Sequence, residues 1–364
     1  MYPYQFLQAD LEDDQALRKR LNDDTIKGKI SLSFRREPSY FTHLKNIASI
    51  IQVIKCVKDK KIVGTATRAI LKCQMRGSIS SIGYLSDLRI ENKHRSGWLL
   101  SNGFKYLREL HLQSPVPFYY TLIWESNYRA IKSLEGKRGK LPEYIYCSKI
   151  LSPIIFLRKK KKIKLTKNLH FKRASTQTIK KVITFINNEN KNKELSPYIN
   201  LEGLLSNDYQ NLRADDFYYL QDGQDIVAAI SLWDQCSYRQ TFIETFSFKY
   251  KLIAKLFKFC HLGVFPKENT EVKYVFGSFM TIKKDNLILA KTLLKYFNNE
   301  LIERGYDKLV LSINNKSILK KLLKSFIHLK LAGNLYFVFF DTTIKEEYKK
   351  LLDSNNIYIE LGLI

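Results

Sequence analysis

Residues 94–97 read His94-Arg95-Ser96-Gly97, at the junction of an extended segment, YLSDLRI, with a helical one, WLLSNGFKYLREL. A strand that ends, turns through a small basic loop and opens a helix leaves backbone N–H groups unpaired, and the helix dipole adds partial positive charge there. That arrangement binds anions, phosphate above all, and Gly97 lets a ligand approach the backbone closely. Two carboxylates flank the turn in sequence: Asp87 on the strand before it and Glu125 at the end of the next strand, PFYYTLIW. Either suits a general base, and either could instead pair with Arg89 or Arg129. The turn FRREPSYF adds Arg35, Arg36 and Tyr40, two cations and a ring fit to hold an anionic group. The six histidines show no HxxxH spacing and no Ser/His/Asp set is readable, so neither a metal nor a covalent nucleophile is expected.

The elements that would position these residues follow the same order twice. In the first half, Asp14 to Leu21 reads as a helix, followed by extended segments ISLSF, SIIQVIKCV and IVGTATRAILKC. The last two are joined by the short charged turn Lys58-Asp59-Lys60-Lys61, a hairpin signal. Leu99, Leu100, Gly103, Phe104, Leu107 and Leu110 recur at helical spacing after the basic turn. A strand, the short helix Asn127 to Leu134 and the strand YIYCSKIL complete the half.

In the second half, Thr178 to Asn187 reads as a helix, and FYYLQD and DIVAAISLW flank a turn at Gly223. EVKYVFGSFMTI is a long strand and Leu287 to Arg304 a strong helix. KLVLSIN, a helix over Ser317 to Leu323, and the strand NLYFVFF follow. The loop matching His94–Gly97 reads KKDNLILA, which has no glycine, so the second repeat reads as degenerate and kept for packing.

Composition bounds the function class. The chain has 364 residues, 45% hydrophobic and 13% aromatic, with 15 Gly and 8 Pro, which is a folded chain of one large or two ordinary domains. Its net charge is +26, yet residues 1–150 carry 26 basic and 14 acidic side chains and the remainder 35 and 21, so the excess is spread over the whole chain. The one cluster, Arg158-Lys159-Lys160-Lys161-Lys162 with Lys164 and Lys167, reads as a solvated connector. It gives boundaries at 1–157, 158–168 and 169–364. Five cysteines (Cys56, Cys73, Cys147, Cys236, Cys260) without a CxxC pair read as reduced thiols. No apolar run reaches membrane-spanning length, and the acidic start MYPYQFLQADLEDD lacks the features of a secretory signal, which points to the cytoplasm.

Taken together, the strand, loop and helix resemble the GNAT superfamily of acetyl-CoA-dependent N-acetyltransferases. The resemblance rests on Leu88-Arg89-Ile90 closing the strand, on His94, Arg95, Ser96 and Gly97 as the loop, and on Trp98 and Leu99 opening the helix. Asn127 and Ala130 match the later Asn-x-x-Ala helix. It covers residues 5–150 well, and the second half in its order of elements. It implies an α+β fold of two tandem GNAT-like domains, each a mixed, mostly antiparallel sheet flanked by helices. It also implies acetyl-CoA at residues 88–90, 94–99, 127 and 130, no metal, and acetyl transfer to the primary amine of an unidentified acceptor by direct attack. The acceptor wall falls at Arg35, Arg36 and Tyr40. Two departures stand out: the loop's last Gly/Ala becomes Leu99, and the tyrosine that protonates the leaving thiolate falls at Leu134.

The rival from another class is a non-catalytic binding protein using its basic surface for nucleic acid or anionic lipid. With no base-reading motif in view, any DNA affinity rests on counterion release and is expected to vanish between about 50 and 200 mM salt. A gel-shift titration checks this, and submicromolar, sequence-selective binding that survives high salt would favour the rival.

Overall fold

The computed structural model describes residues 4–46, 49–135, 141–163, 168–259, 265–352 and 354–364; Lys164, Lys167 and Cys260 lie outside them. The first half runs β1 (Gln5–Gln8), α1 (Asp14–Asn22), β2 (Ile30–Arg35), β3 (Ile50–Lys58), β4 (Lys61–Met75), β5 (Ser78–Ile90), α2 (Gly97–Gln113), β6 (Tyr119–Trp124), α3 (Tyr128–Leu134), β7 (Glu143–Leu151) and β8 (Ile154–Phe156). The second half opens with β9 (Leu169–Arg173), α4 (Ile179–Glu189), β10 (Ser196–Pro197), α5 (Leu201–Leu205), β11 (Phe217–Asp222), β12 (Asp225–Trp233), β13 (Gln240–Phe246) and α6 (Phe248–Phe259). It continues through β14 (Thr270–Glu271), β15 (Val275–Ile282), α7 (Leu287–Glu303), β16 (Lys308–Leu311), β17 (Ile313–Asn314), β18 (His328–Leu329), β19 (Ala332–Phe339) and α8 (Lys345–Leu352).

The expected α+β architecture of mixed, mostly antiparallel sheets flanked by helices is present. Local chemistry explains its hairpins: Asp59 and Lys60 both adopt positive φ in the β3–β4 turn, as do Arg76 and Gly77 between β4 and β5. This two-residue turn geometry matches the right-handed twist of the flanking strands. The sequence reading did not assign β1, β13, α6 or α8. Ser317 to Leu323, expected as a helix, forms a 3-10 turn over Ile318–Ser325 capped by Ser317. The segment is too short for propensity to hold an α-helix, and Leu319 and Leu322 stack at three-residue spacing against the core.

The sheets interleave the two halves. The first has the strand order β1-β3-β4-β5-β6-β19-β7-β17, with β10 beside β4, and the second runs β18-β8-β16-β15-β12-β11-β9. Thus NLYFVFF, from the second half, lies between β6 and β7, while β8 leaves the first half to pair with β16 and β18. ISLSF pairs with β13 in a three-stranded sheet. One apolar cluster spans both halves, from Leu17, Ala69 and Ile82 to Val182, Phe217 and Trp233. The basic run lies along α7: Lys160 pairs with Glu303 at 2.6 Å, and the Lys161 amide donates to Asn299 Oδ1 at 2.6 Å. Cys56, Cys73 and Cys147 are buried free thiols, and Cys236 is a half-buried one.

Each half carries the same device, a strand with a bulge followed by a capped helix. In β5, Ala66 of β4 faces both Asp87 and Leu88, and Asp87 has φ +50°. In β15, Ile230 of β12 faces both Phe279 and Met280, and Phe279 has φ +54°. The second bulge is filled. The Phe279 amide donates to Glu360 Oε2 at 2.6 Å, the Tyr358 hydroxyl to the same oxygen at 2.5 Å, and the Gly362 amide to Glu360 Oε1 at 2.9 Å. Glu360 is 4% exposed, and burial holds its carboxyl above the usual carboxylate range.

Glu360→Ala leaves these buried donors unpaired and is expected to cost about 2–5 kcal/mol, at roughly 1–3 kcal/mol per orphaned group. Glu360→Gln keeps an acceptor and is expected to cost less. Chemical denaturation of both variants checks the order, and an Ala variant as stable as the parent would contradict it.

Candidate active site

The site begins where β5 and β6 part. Their parallel pairing is confined to Gly83↔Tyr119 and Tyr84↔Tyr120. A Cβ at Gly83 would stand 2.0 Å from the Tyr119 ring, so glycine there admits the aromatic wedge at the apex. Tyr119 is fixed by Arg68, whose Nε donates to its hydroxyl at 2.8 Å, and by His111 at 2.9 Å. Beyond the apex β6 follows β19 instead, pairing Tyr119↔Val338 through Trp124↔Gly333. The freed space is a cavity of about 240 Å³. Its walls are Leu85–Ile90, Thr121–Trp124, Leu99, Leu100, Gly103, Phe104 and Leu107 of α2, Asn127, Ala130 and Leu134 of α3, and Tyr144. Arg36, His43, Arg239, Leu361 and Ile364 close the far end.

The basic loop joins Ile90 and Leu99 of the lining, but His94, Arg95, Ser96, Gly97 and Trp98 do not themselves line the cavity. Ser96 caps α2, its Oγ accepting from the Leu99 amide at 3.2 Å. The helix starts at Gly97, one residue earlier than the pattern indicated. His94 is held by the Tyr4 hydroxyl at 3.1 Å and by Glu91 at 3.6 Å, and Trp98 packs on Tyr4 with centroids 5.8 Å apart. Arg95 Nε donates to the Ile90 carbonyl at 2.8 Å, and its Nη2 stands 3.8 Å from Asp24. Asp24 also pairs with Arg20 at 2.8 Å. Burial lowers the Arg95 pKa, and the charges of Arg129, Arg20 and Arg89 press in the same direction. Several guanidinium groups therefore act on one another around this loop, which an anion would relieve. Gly97 adopts no positive φ, and a Cβ there would meet nothing within 4 Å. The glycine is not required by the fold, and the space above it is open.

Of the other candidates, Leu88, Arg89, Ile90 and Leu99 line the cavity beside Asn127 and Ala130. Asn127 also caps α3, accepting from the Ala130 amide at 3.3 Å. Asp87 lies in the bulge on the cavity wall. Its Oδ2 accepts from the Tyr40 hydroxyl at 3.3 Å and is 4.0 Å from Arg36 Nη2, and its carbonyl accepts from Thr65 Oγ1 at 3.2 Å. Tyr40 is 1% exposed; burial and then the Asp87 charge raise its pKa, so it remains a neutral donor behind Asp87.

Arg36 lines the cavity, while Arg35 turns onto the Phe242 ring at 3.6 Å. Glu125 is not brought to the cavity: it pairs with Lys149 at 2.6 Å and is half exposed. Leu134 lines the wall where a tyrosine was lacking, and Tyr84 and Tyr144 supply phenols whose pKa burial raises. Sequence reasoning missed His43, Tyr84, Tyr144 and Arg239.

The corresponding loop of the second half is consumed internally. The Lys284 amide donates to Glu189 at 2.6 Å, Lys193 pairs with Asp285 at 2.8 Å, and Lys283 lies 3.4 Å from Asp225.

No family model matches the chain, and no curated protein matches it in sequence. Solved structures do match in fold. Saccharomyces cerevisiae N-myristoyltransferase with bound myristoyl-CoA superposes with a TM-score of 0.60 at 11% identity, over 93% of this chain and 79% of that one. A GCN5-related N-acetyltransferase from Sphaerobacter thermophilus gives 0.57 at 10% identity, over 93% and 96%. A probable N-acyltransferase from Enterococcus faecalis V583 gives 0.55 at 8% identity, over 94% and 74%. The chain has the GNAT fold, and these structural neighbours carry N-acyltransferase names.

If the loop holds a phosphate, Gly97→Glu is expected to abolish CoA binding by bulk and repulsion without lowering the melting temperature, because the site has room for a side chain. Arg95→Ala is expected to weaken CoA about tenfold to a hundredfold through a lost charge-assisted bond. Calorimetry and thermal melts of both variants check this, and a Gly97→Glu protein with unaltered CoA affinity would remove the basis for the site.

Proposed function

We propose that this chain is an N-acyltransferase that moves an acetyl group from acetyl-CoA to a primary amine by direct attack. The observation that carries the reading is the junction of three features in one cavity: parted strands, a positive-φ bulge at Asp87, and a capped helix behind a basic loop. The fold neighbours support it, since all three carry N-acyltransferase names and one was solved with an acyl-CoA. In this reading His94, Arg95, Ser96, Gly97 and Trp98 receive the pyrophosphate. Leu88, Arg89 and Ile90 offer strand backbone to the pantetheine arm, with Leu99, Asn127 and Ala130 opposite. Bulge amides polarise the thioester carbonyl where negative charge develops.

Asp87 takes the proton that the ammonium must lose, with Tyr40 positioning it. Glu125, paired with Lys149 at the rim, takes no such part. A phenol, Tyr84 or Tyr144, replaces the tyrosine absent at Leu134 as the acid. Residues 1–157 hold the co-substrate, 158–168 connect, and 169–364 form a repeat whose bulge amide already belongs to Glu360.

Acetyl-CoA titrated into the protein should saturate at one site per chain. Asp87→Asn is expected to lower kcat by about 10²–10⁴-fold with CoA affinity unchanged. An Asp87→Asn enzyme of full activity would contradict the assignment.

A further inference from the structure

The acceptor end of the cavity holds buried guanidinium nitrogens that have no partner. Arg36 is 5% exposed; its Nη2 approaches Asp87, but its Nε and Nη1 have no hydrogen-bond partner. Arg239, on the connection into β13, lines the same end. Its Nη1 donates to Gln235 Oε1 at 3.2 Å and to the Leu361 carbonyl at 3.0 Å, its face lies over Phe276, and its Nε is shut from solvent without a partner. Among the described residues, no carboxylate is paired with Arg239, and Asp87 is the one in range of Arg36.

His43, 2% exposed, completes the wall with Nδ1 unpartnered. Burial, then the charges of Arg36 and Arg239, holds its pKa well below the usual histidine range, so it adds no charge of its own. Burial and the Arg36 charge likewise lower the Arg239 pKa. Buried guanidinium donors left unpaired are costly, and such donors ordinarily meet an anion. Two buried guanidinium groups thus line one stretch of the cavity with Nε of each, and Nη1 of Arg36, lacking a partner.

We infer that the amine acceptor carries a carboxylate, seated between Arg36 and Arg239 while Asp87 faces its ammonium group, an inference that rests on the acyltransfer reading above. A planar carboxylate matches the guanidinium fork, whose fixed in-plane donors a tetrahedral phosphate fits less closely. The acceptor site is then built by both halves: Arg36 and His43 from the first, Arg239 from the second.

The test titrates CoA-loaded protein calorimetrically with two probe sets: free amino acids, β-alanine and dipeptides on one side, and the amides of the same compounds on the other. Saturable binding is expected from the free acids alone. Arg36→Gln and Arg239→Gln should each weaken it at least tenfold, with CoA affinity and melting temperature unchanged. The proposal is overturned if the amides bind as well, if the arginine variants bind the acids normally, or if a protein that binds CoA binds no free acid. Phosphoethanolamine binding in place of the acids overturns it too. Failure of the parent protein to bind acetyl-CoA would instead remove the acyltransfer reading, and the same probes titrated into the free protein would then decide the carboxylate site by itself. Should either glutamine variant melt early, Arg→Lys at that position keeps the charge, and normal acid binding by the folded Lys variant alongside equal binding of amides counts against the site.

Discussion

The insertion of β19 between β6 and β7 sets the geometry on which the rest depends. Its pairing takes the whole of β6, from Tyr119 to Trp124, leaving β6 bound to β5 at only two positions. The approach is close: a Cβ on Gly333 would stand 2.7 Å from Leu122 Cγ. Because β6 is committed to β19, the β5 edge beyond Tyr84 faces a cavity instead of a neighbouring strand. The same exchange ties the halves into one core and carries the chain onward through α8 to Glu360.

The two bulges then show how one backbone device is put to different ends. At Asp87 the reorientated backbone borders an open cavity, with a loop whose cations are only partly balanced. At Phe279 the equivalent amide is bonded to a buried carboxylate, and the loop before α7 spends its amide and its lysines on Glu189, Asp285 and Asp225. A carboxylate buried so deeply is tolerated because amide and hydroxyl donors satisfy it. By the same bonds it places Leu361 and Ile364 in the wall of the first cavity, so that closing one site shapes the other.

Much of the first half was legible in the sequence because local chemistry decides it. The basic turn that opens a helix, the helical spacing after it and the short helix after Asn127 are short-range signals, and the structure keeps each of them. The bulge was not legible: YLSDLRI reads as an uninterrupted strand, and an aspartate at positive φ leaves no mark in composition. Nor was strand partnership, since alternation reveals a strand without naming its neighbour. NLYFVFF and ISLSF were read correctly as strands, yet both pair across the halves. Arg239 was invisible for the same reason, because only the pairing of β13 with β2 brings CSYRQ to the cavity. Glu125 shows the converse: its place at a strand end suggested the cleft, and the nearby Lys149 on β7 takes it instead.

The account's central claim is that one of two similar bulged strands receives the acyl-CoA. A crystal structure of the protein with acetyl-CoA tests it most directly. The account predicts a pyrophosphate over Arg95–Gly97 and a thioester carbonyl at the Asp87 bulge, with Glu360 still bonded to Phe279. Cofactor density at Lys283–Asn286, or displacement of Glu360 from the second bulge by the ligand, would contradict it.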